Sequence, residues 1–328
     1  MTTRSSGASD GAGSPLPGKV AVIGAGAIGG GWAALCASAG WPVSIYDTNA
    51  RAAEEAAEAI PRRARSLIAL DRATPGIVER GLLEFQQPKS LLQTVREADW
   101  VIEAIHEDLG AKQRLLESIE QVASPHAIVT SSSSGLAPGD IFGRLLRRSH
   151  CLVAHPLNPP ELLPLVELVP TEETDPATIE RAKGFLRALG RMPIVLHKAV
   201  PGYVVGRVAA AVWRECIDLV LTGVIDVSDL DRAVSLGPAL GWAAAGPHLT
   251  YHLGAGDGGV HIFLQHLLTS FEAWWSHLAS WDKLEPEQQR ALIAAIEKAY
   301  EGKVDMLRAA RDRRLGAILR ALEQARTT

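Results

Sequence analysis

From Lys19 to about Lys198, short runs of β-branched and other apolar residues alternate with longer stretches of helical periodicity. The runs at 19–23, 43–46, 100–105, 127–130, 151–155, 165–169 and 193–197 are nearly continuous in apolar character, as strands covered on both faces must be. The alternation predicts an α/β fold, a doubly wound and mostly parallel sheet of the Rossmann type with helices on both faces. After Pro201-Gly202 the pattern changes. Residues 203–221 read as one long helix with Gly223 just past its end, and the remainder is helical pattern broken by Gly and Pro clusters at 237–247 and 254–259. The chain therefore divides into a flexible tail (1–17), a sheet domain (18–199) and a second, all-helical domain (200–328).

A length of 328 residues with 47% hydrophobic content is enough for two cores. The formal net charge of -4 argues against a nucleic-acid partner, which calls for a clustered basic excess. Arg62, Arg63, Arg65 and Arg72 form one local basic cluster, either a solvated helix face or a grip on a phosphate-bearing substrate. Cys36, Cys151 and Cys216 show neither a C-x-x-C pair nor a disulfide framework and read as reduced, buried thiols of a cytoplasmic protein. Residues 1–17 lack the apolar run of a secretory signal, and no stretch has the uncharged length of a membrane span, so no membrane association is expected.

The first strand runs into Gly24-Ala25-Gly26-Ala27-Ile28-Gly29, a G-x-G-x-x-G turn opening a helix. The first glycine permits the tight turn, the second lets backbone approach a pyrophosphate, and the third lets helix and strand pack closely. Such a turn alone is weak evidence, but Asp47 ends the next strand, where a carboxylate accepts hydrogen bonds from the adenosine ribose. That carboxylate repels a 2′-phosphate, which favours NAD over NADP, and Arg51 is the nearby group that softens the preference. The cofactor contacts expected here are Gly24, Gly26, Ala27, Ile28, Gly29 and Asp47; the alternative role for Asp47 is capping the following helix.

Two further segments lie where open α/β sheets carry functional loops, at carboxyl ends of strands. Thr130-Ser131-Ser132-Ser133-Ser134-Gly135 is either a hydroxyl-rich turn or a set of donors facing a substrate oxygen. The second segment opens with His155 at the end of its strand. Glu167 lies inside the apolar run 165–169, and a buried carboxylate needs a partner. Pairing it with His155 would fix the imidazole tautomer and raise its basicity, the arrangement of a general base and its orienting group. His248 and His252 have i, i+4 spacing but no accompanying ligand residue, so no metal is expected and a pocket wall is the better reading. Trp213, Trp242, Trp274, Trp275 and Trp281 fall in the helical half and read as core or dimer interface, or as faces for a quaternary ammonium group.

Taken together, segments 22–30, 103–107 with Lys112, 131–136, 155–169 and 201–207 resemble the 3-hydroxyacyl-CoA dehydrogenase superfamily. The likeness spans nearly the whole chain from Lys19 and is greatest to the branch containing L-gulonate 3-dehydrogenase (lambda-crystallin) and L-carnitine dehydrogenase. It implies a His155–Glu167 dyad, Ser134 on the substrate oxygen, Asn158 beside the dyad, and Glu107, Lys112 and Ser132 at the cofactor. The implied reaction is NAD-dependent oxidation of a small L-3-hydroxy acid to the 3-keto acid. L-Carnitine or 3-hydroxybutyryl-CoA as substrate, and an NAD-binding structural or sensor protein, are the alternatives. A homodimer through the helical domain is expected. One departure stands out: Gly206 occupies the position before Arg207 at which family members commonly carry an Asn.

Overall fold

The computed structural model describes residues 18–302 and 304–325; the expected tail at 1–17 lies outside them. Two compact units divide the chain between Gly206 and Arg207. In the first, β1 (Val20–Ile23), α1 (Ala27–Ser38), β2 (Val43–Tyr46), α2 (Ala50–Ala69), α3 (Pro75–Leu83), β3 (Phe85–Gln86), α4 (Leu91–Val95), β4 (Trp100–Glu103), α5 (Leu109–Val122) and β5 (Ile128–Ser131) follow one another. They are continued by α6 (Pro138–Phe142), β6 (Cys151–Pro156), β7 (Leu165–Pro170), α7 (Pro176–Ala188) and β8 (Met192–Val195). The strand order is β3-β2-β1-β4-β5-β6-β7-β8. All neighbours are parallel except β6 and β7, which pair antiparallel. A direct loop joins those two, whereas parallel neighbours need a crossover of a dozen or more residues.

The central strands β1, β4 and β5 are buried along their whole length, and apolar clusters fill the space between sheet and helices. One cluster is built around Trp32, Trp100 and Phe185, with the Trp100 ring 5.7 Å from each of the other two. The edge strand β8 departs from the expected continuous burial and alternates between exposed and half-buried positions. Strand β4 also stops two residues short of the predicted end, because the Ile105 amide turns back onto the Glu103 carboxylate.

The helix expected over 203–221 begins at Val205 (α8, Val205–Leu221). Tyr203 has φ 48°, outside the helical region, so the chain cannot enter the helix until it has passed that residue. The second unit continues with α9 (Val227–Leu236), α10 (Pro238–Ala245), α11 (Pro247–Leu253), α12 (Gly259–Trp275), α13 (Pro286–Ala299) and α14 (Val304–Gln324). Tyr251, Phe263, Phe271, Trp274 and Trp275 form a continuous run of ring contacts. Trp281 donates its indole N–H to Asp218, and Arg214 donates to the Trp281 carbonyl. Among the described residues no helix is long and apolar enough to cross a membrane.

Candidate active site

The glycine turn between β1 and α1 has the shape its sequence predicts. Gly24 has φ 103°, and a Cβ there would lie 2.5 Å from the Ala104 carbonyl. A Cβ on Gly29 would lie 1.9 Å from the Gly24 carbonyl, so strand and helix close on each other only without side chains. Gly26, by contrast, faces open space. No side chain caps α1, and Gly26 and Ala27 are exposed, so amide donors at the head of the helix are available to an anion. The Asp47 carboxylate lies against this turn and accepts from the Ala25 amide at 2.8 Å. Capping of α2 falls to Asn49, not to Asp47. Arg51 is turned to Glu55 on the surface. The free amides, the open floor at Gly26 and the adjacent carboxylate fit a dinucleotide.

On the other side of β5, His155 and Glu167 are direct cross-strand partners in the antiparallel pair β6–β7. Their side chains therefore share one face, and His155 Nδ1 meets Glu167 Oε2 at 2.8 Å. Glu167 is fully buried. Its second oxygen accepts from the amides of Val204 and Val205 at 2.9 and 3.0 Å, at the head of α8, so positive potential from that helix falls on the carboxylate. With Nδ1–H held by the carboxylate, the neutral imidazole presents the lone pair of Nε2.

Tyr203 completes this corner. Its ring lies 5.6 Å from that of His155, and its hydroxyl donates to the Leu136 carbonyl at 2.7 Å. Burial, with the Glu107 and Glu167 carboxylates nearby, pushes the phenol up to about 12, so it stays a donor.

The serine loop is braced by a buried charge network. Glu103, fully buried at the end of β4, accepts from Lys112 Nζ at 2.7 Å, from the Ser131 hydroxyl at 2.5 Å and from the Ile105 amide. Lys112 reaches on to Glu107 at 3.4 Å. One Glu107 oxygen accepts from the Ser133 hydroxyl at 2.6 Å and from the Ser134 amide at 2.9 Å. Burial alone would raise the Glu107 carboxyl, but the Ser133 hydroxyl, the Lys112 ammonium and the Ser134 amide together hold it below the usual carboxylate range. Ser134 Oγ lies 3.5 Å from the same oxygen, a long contact that leaves its hydroxyl free to turn.

The predicted residues thus fall into two groups. His155, Glu167 and the Ser133–Ser134 loop with Glu107 and Lys112 are drawn together through Tyr203 and Glu103. Ser132 belongs instead to the α1 side, accepting from the Trp32 indole at 3.1 Å. Asn158, three residues beyond His155, is exposed and has no side-chain hydrogen bond among the described residues. Glu103 and Tyr203 escaped the sequence reading. Glu103 carried the signal that exposed Glu167, a carboxylate inside an apolar run; nothing in the local pattern marks Tyr203.

Outside this corner, His252 accepts the Val260 amide on Nδ1. Cys36 and Cys151 have thiols pushed well up by burial, the second to about 12, and stay protonated. Two members of the arginine cluster have carboxylate partners: Arg63 is paired with Glu161 and Arg65 with Glu79.

Comparison with known proteins converges on one family. The 3-hydroxyacyl-CoA dehydrogenase NAD binding domain matches residues 19–200, and the C-terminal domain of the same family matches 202–294. The chain is 34% identical to an L-carnitine dehydrogenase of Streptomyces coelicolor over 310 residues, covering 92% of this chain and 94% of that one. It is 39% identical to the lambda-crystallin homolog of Bos taurus over 245 residues, 74% of this chain and 76% of the other. Among solved structures, a 5-formyl-3-hydroxy-2-methylpyridine 4-carboxylic acid 5-dehydrogenase, described as an NAD+-dependent dismutase, superposes with TM-score 0.81 at 30% identity. That match covers 93% of this chain and 98% of the other.

Proposed function

Because this chain belongs to the 3-hydroxyacyl-CoA dehydrogenase family and is an NAD-dependent dehydrogenase, we propose that it oxidises the secondary hydroxyl of a small L-3-hydroxy acid to the ketone, with His155 as general base. The observation that carries this reading is the His155–Glu167 contact at 2.8 Å, on strand ends at the sheet edge that holds the glycine turn. His155 Nε2 takes the hydroxyl proton as the carbon–hydrogen bond breaks. Glu167, held by three donors, stabilises the imidazolium that results. Ser134 is assigned to the substrate oxygen, with Glu107 and Lys112 holding its loop. Asn158, exposed on the same loop system, is assigned to the substrate. When bound, NAD accepts the hydride.

L-Carnitine is itself a 3-hydroxy acid, and similarity to L-carnitine dehydrogenases over nine-tenths of both chains makes it the first substrate to try. A 3-hydroxyacyl-CoA thioester is the alternative substrate class, as the family of the matching domains suggests.

A screen for NADH formation over 3-hydroxy acids, L-carnitine and 3-hydroxyacyl-CoA esters decides between these. His155→Gln is expected to lower turnover by about 10²–10⁴-fold, the usual worth of a general base, with NAD affinity by calorimetry unchanged. Turnover surviving that change would overturn the assignment; NAD binding without turnover of any hydroxy acid would favour a structural or sensor role. The active molecule is proposed to be a homodimer formed through the helical unit. That unit exposes Trp213, Leu253, Trp274 and Trp275, and a second copy is the covering proposed for them.

A further inference from the structure

The basic cluster on and just after α2 has no part in the chemistry above, yet Arg63 is built into the fold. Arg63 Nε and Nη2 meet the two Glu161 oxygens at 2.7 and 2.8 Å, a bidentate pair between side chains 98 positions apart. Arg63 Nη2 also donates to the Ala27 carbonyl in the first turn of α1 at 3.1 Å. Glu161 lies on the loop that follows His155, between β6 and β7. That loop sits directly on α1: a Cβ at Gly31 would lie 2.7 Å from Pro160 Cδ and 2.8 Å from both Arg63 and Glu161. From the other side Arg191, itself buried, donates to the Pro160 and Leu163 carbonyls at 3.2 Å each.

We propose that Arg63 and Glu161 are positioning residues: their ion pair locks the loop running from His155 through Asn158 onto the helix whose head receives the dinucleotide. Cofactor seat and base then hold one fixed separation, and NAD binding on α1 orders the loop. An exposed ion pair would be a weak link, but the Glu161 side chain is only 8% exposed, and removing Arg63 leaves a desolvated carboxylate behind. Hydride transfer is unforgiving of such slack, since a displacement of ~1 Å costs about 10²-fold in rate. The loop-ordering part rests only on NAD binding; the rate part rests on the proposed dehydrogenation.

The test uses the full chain carrying Arg63→Gln, Glu161→Gln, the double Gln variant and the charge exchange Arg63→Glu with Glu161→Arg. Hydrogen exchange at the amides of Leu157, Asn158, Glu161 and Leu162 is followed with and without NAD. In the unaltered protein NAD is expected to slow exchange there, and both single variants are expected to lose that protection, with NAD affinity falling by the same factor as the protection lost. With a turned-over substrate, kcat falls by about tenfold or more in each single variant, the primary deuterium isotope effect rises, and the charge exchange restores part of the loss. Protection retained in Arg63→Gln, or single losses that simply add in the double variant, would overturn the proposal. So would a lowered melting temperature with kcat and isotope effect unmoved. If Arg63→Gln does not fold, Arg63→Lys, which keeps the charge but loses the fork, takes its place. If the unaltered protein oxidises no hydroxy acid, the functional reading fails while the exchange measurement still decides this one.

Discussion

The two units of the chain solve the problem of burying apolar surface in different ways. In the sheet unit, β1, β4 and β5 are covered on both faces, and Trp32, Trp100, Phe142 and Phe185 are sealed inside. In the helical unit the buried apolar side chains are few, Ile217, Leu230, Leu292 and Leu319 among them, while Trp274 and Trp275 are each 57% exposed. A sheet with helices on either side closes its own core. The helical unit by itself leaves the Trp274 and Trp275 rings uncovered, and a second copy is the covering proposed for them. The proposed chemistry follows the same division, since the His155–Glu167 pair, the serine loop, the glycine turn and the Arg63 bridge all belong to the self-contained unit.

That contrast can be broken most sharply at tryptophan. Trp100→Ala removes a fully buried ring that also donates to Thr130, and is expected to cost ~3–5 kcal/mol at any protein concentration, measured by denaturant unfolding. Trp274→Ala in the helical unit is expected instead to weaken self-association by about tenfold, or ~1.4 kcal/mol, seen as a shift of the dimer midpoint in sedimentation. Equal, concentration-independent losses at both sites would show that the helical unit has a closed core after all.

Smaller effects sharpen the account of the site. Tyr203→Phe removes the hydroxyl donated to Leu136 and is expected to cost ~1 kcal/mol. The phenol's folded pKa, about 12, lies above its usual 10.0. It therefore contributes stability that is complete below pH 10 and lost as pH rises toward 12. The Phe variant should lack that alkaline loss, and a melting-temperature series across this range checks it. Smallest is Gly206→Asn. A Cβ at Gly206 meets nothing closer than the Ser134 carbonyl at 3.9 Å, so the side chain fits beside the serine loop. It is expected to change kcat/KM several-fold and unequally between L-carnitine and an uncharged hydroxy acid, well under the ~1.4 kcal/mol of a tenfold effect.

Much of the site was legible because its residues break local patterns. Gly24, Gly26 and Gly29 interrupt an apolar strand-to-helix passage, and Glu167 is a carboxylate in an apolar run. Tyr203 was not legible: an aromatic residue before a helix looks like ordinary core, and only its φ of 48° and its contacts with His155 and Leu136 mark it. Arg63 was misleading for the opposite reason, since a basic cluster announces charge without naming the carboxylate that answers it.

The alternation of strands and helices, the glycine turn and the conspicuous carboxylate were therefore written in the order of residues, because each depends on neighbours within a few positions. The ring of Tyr203 against His155, the amides of Val204 and Val205 that hold the buried charge, and the Arg63–Glu161 bridge were decided by folding alone. Their partners are far apart along the chain, and pairings of that kind exist only once the sheet has chosen which strands are neighbours.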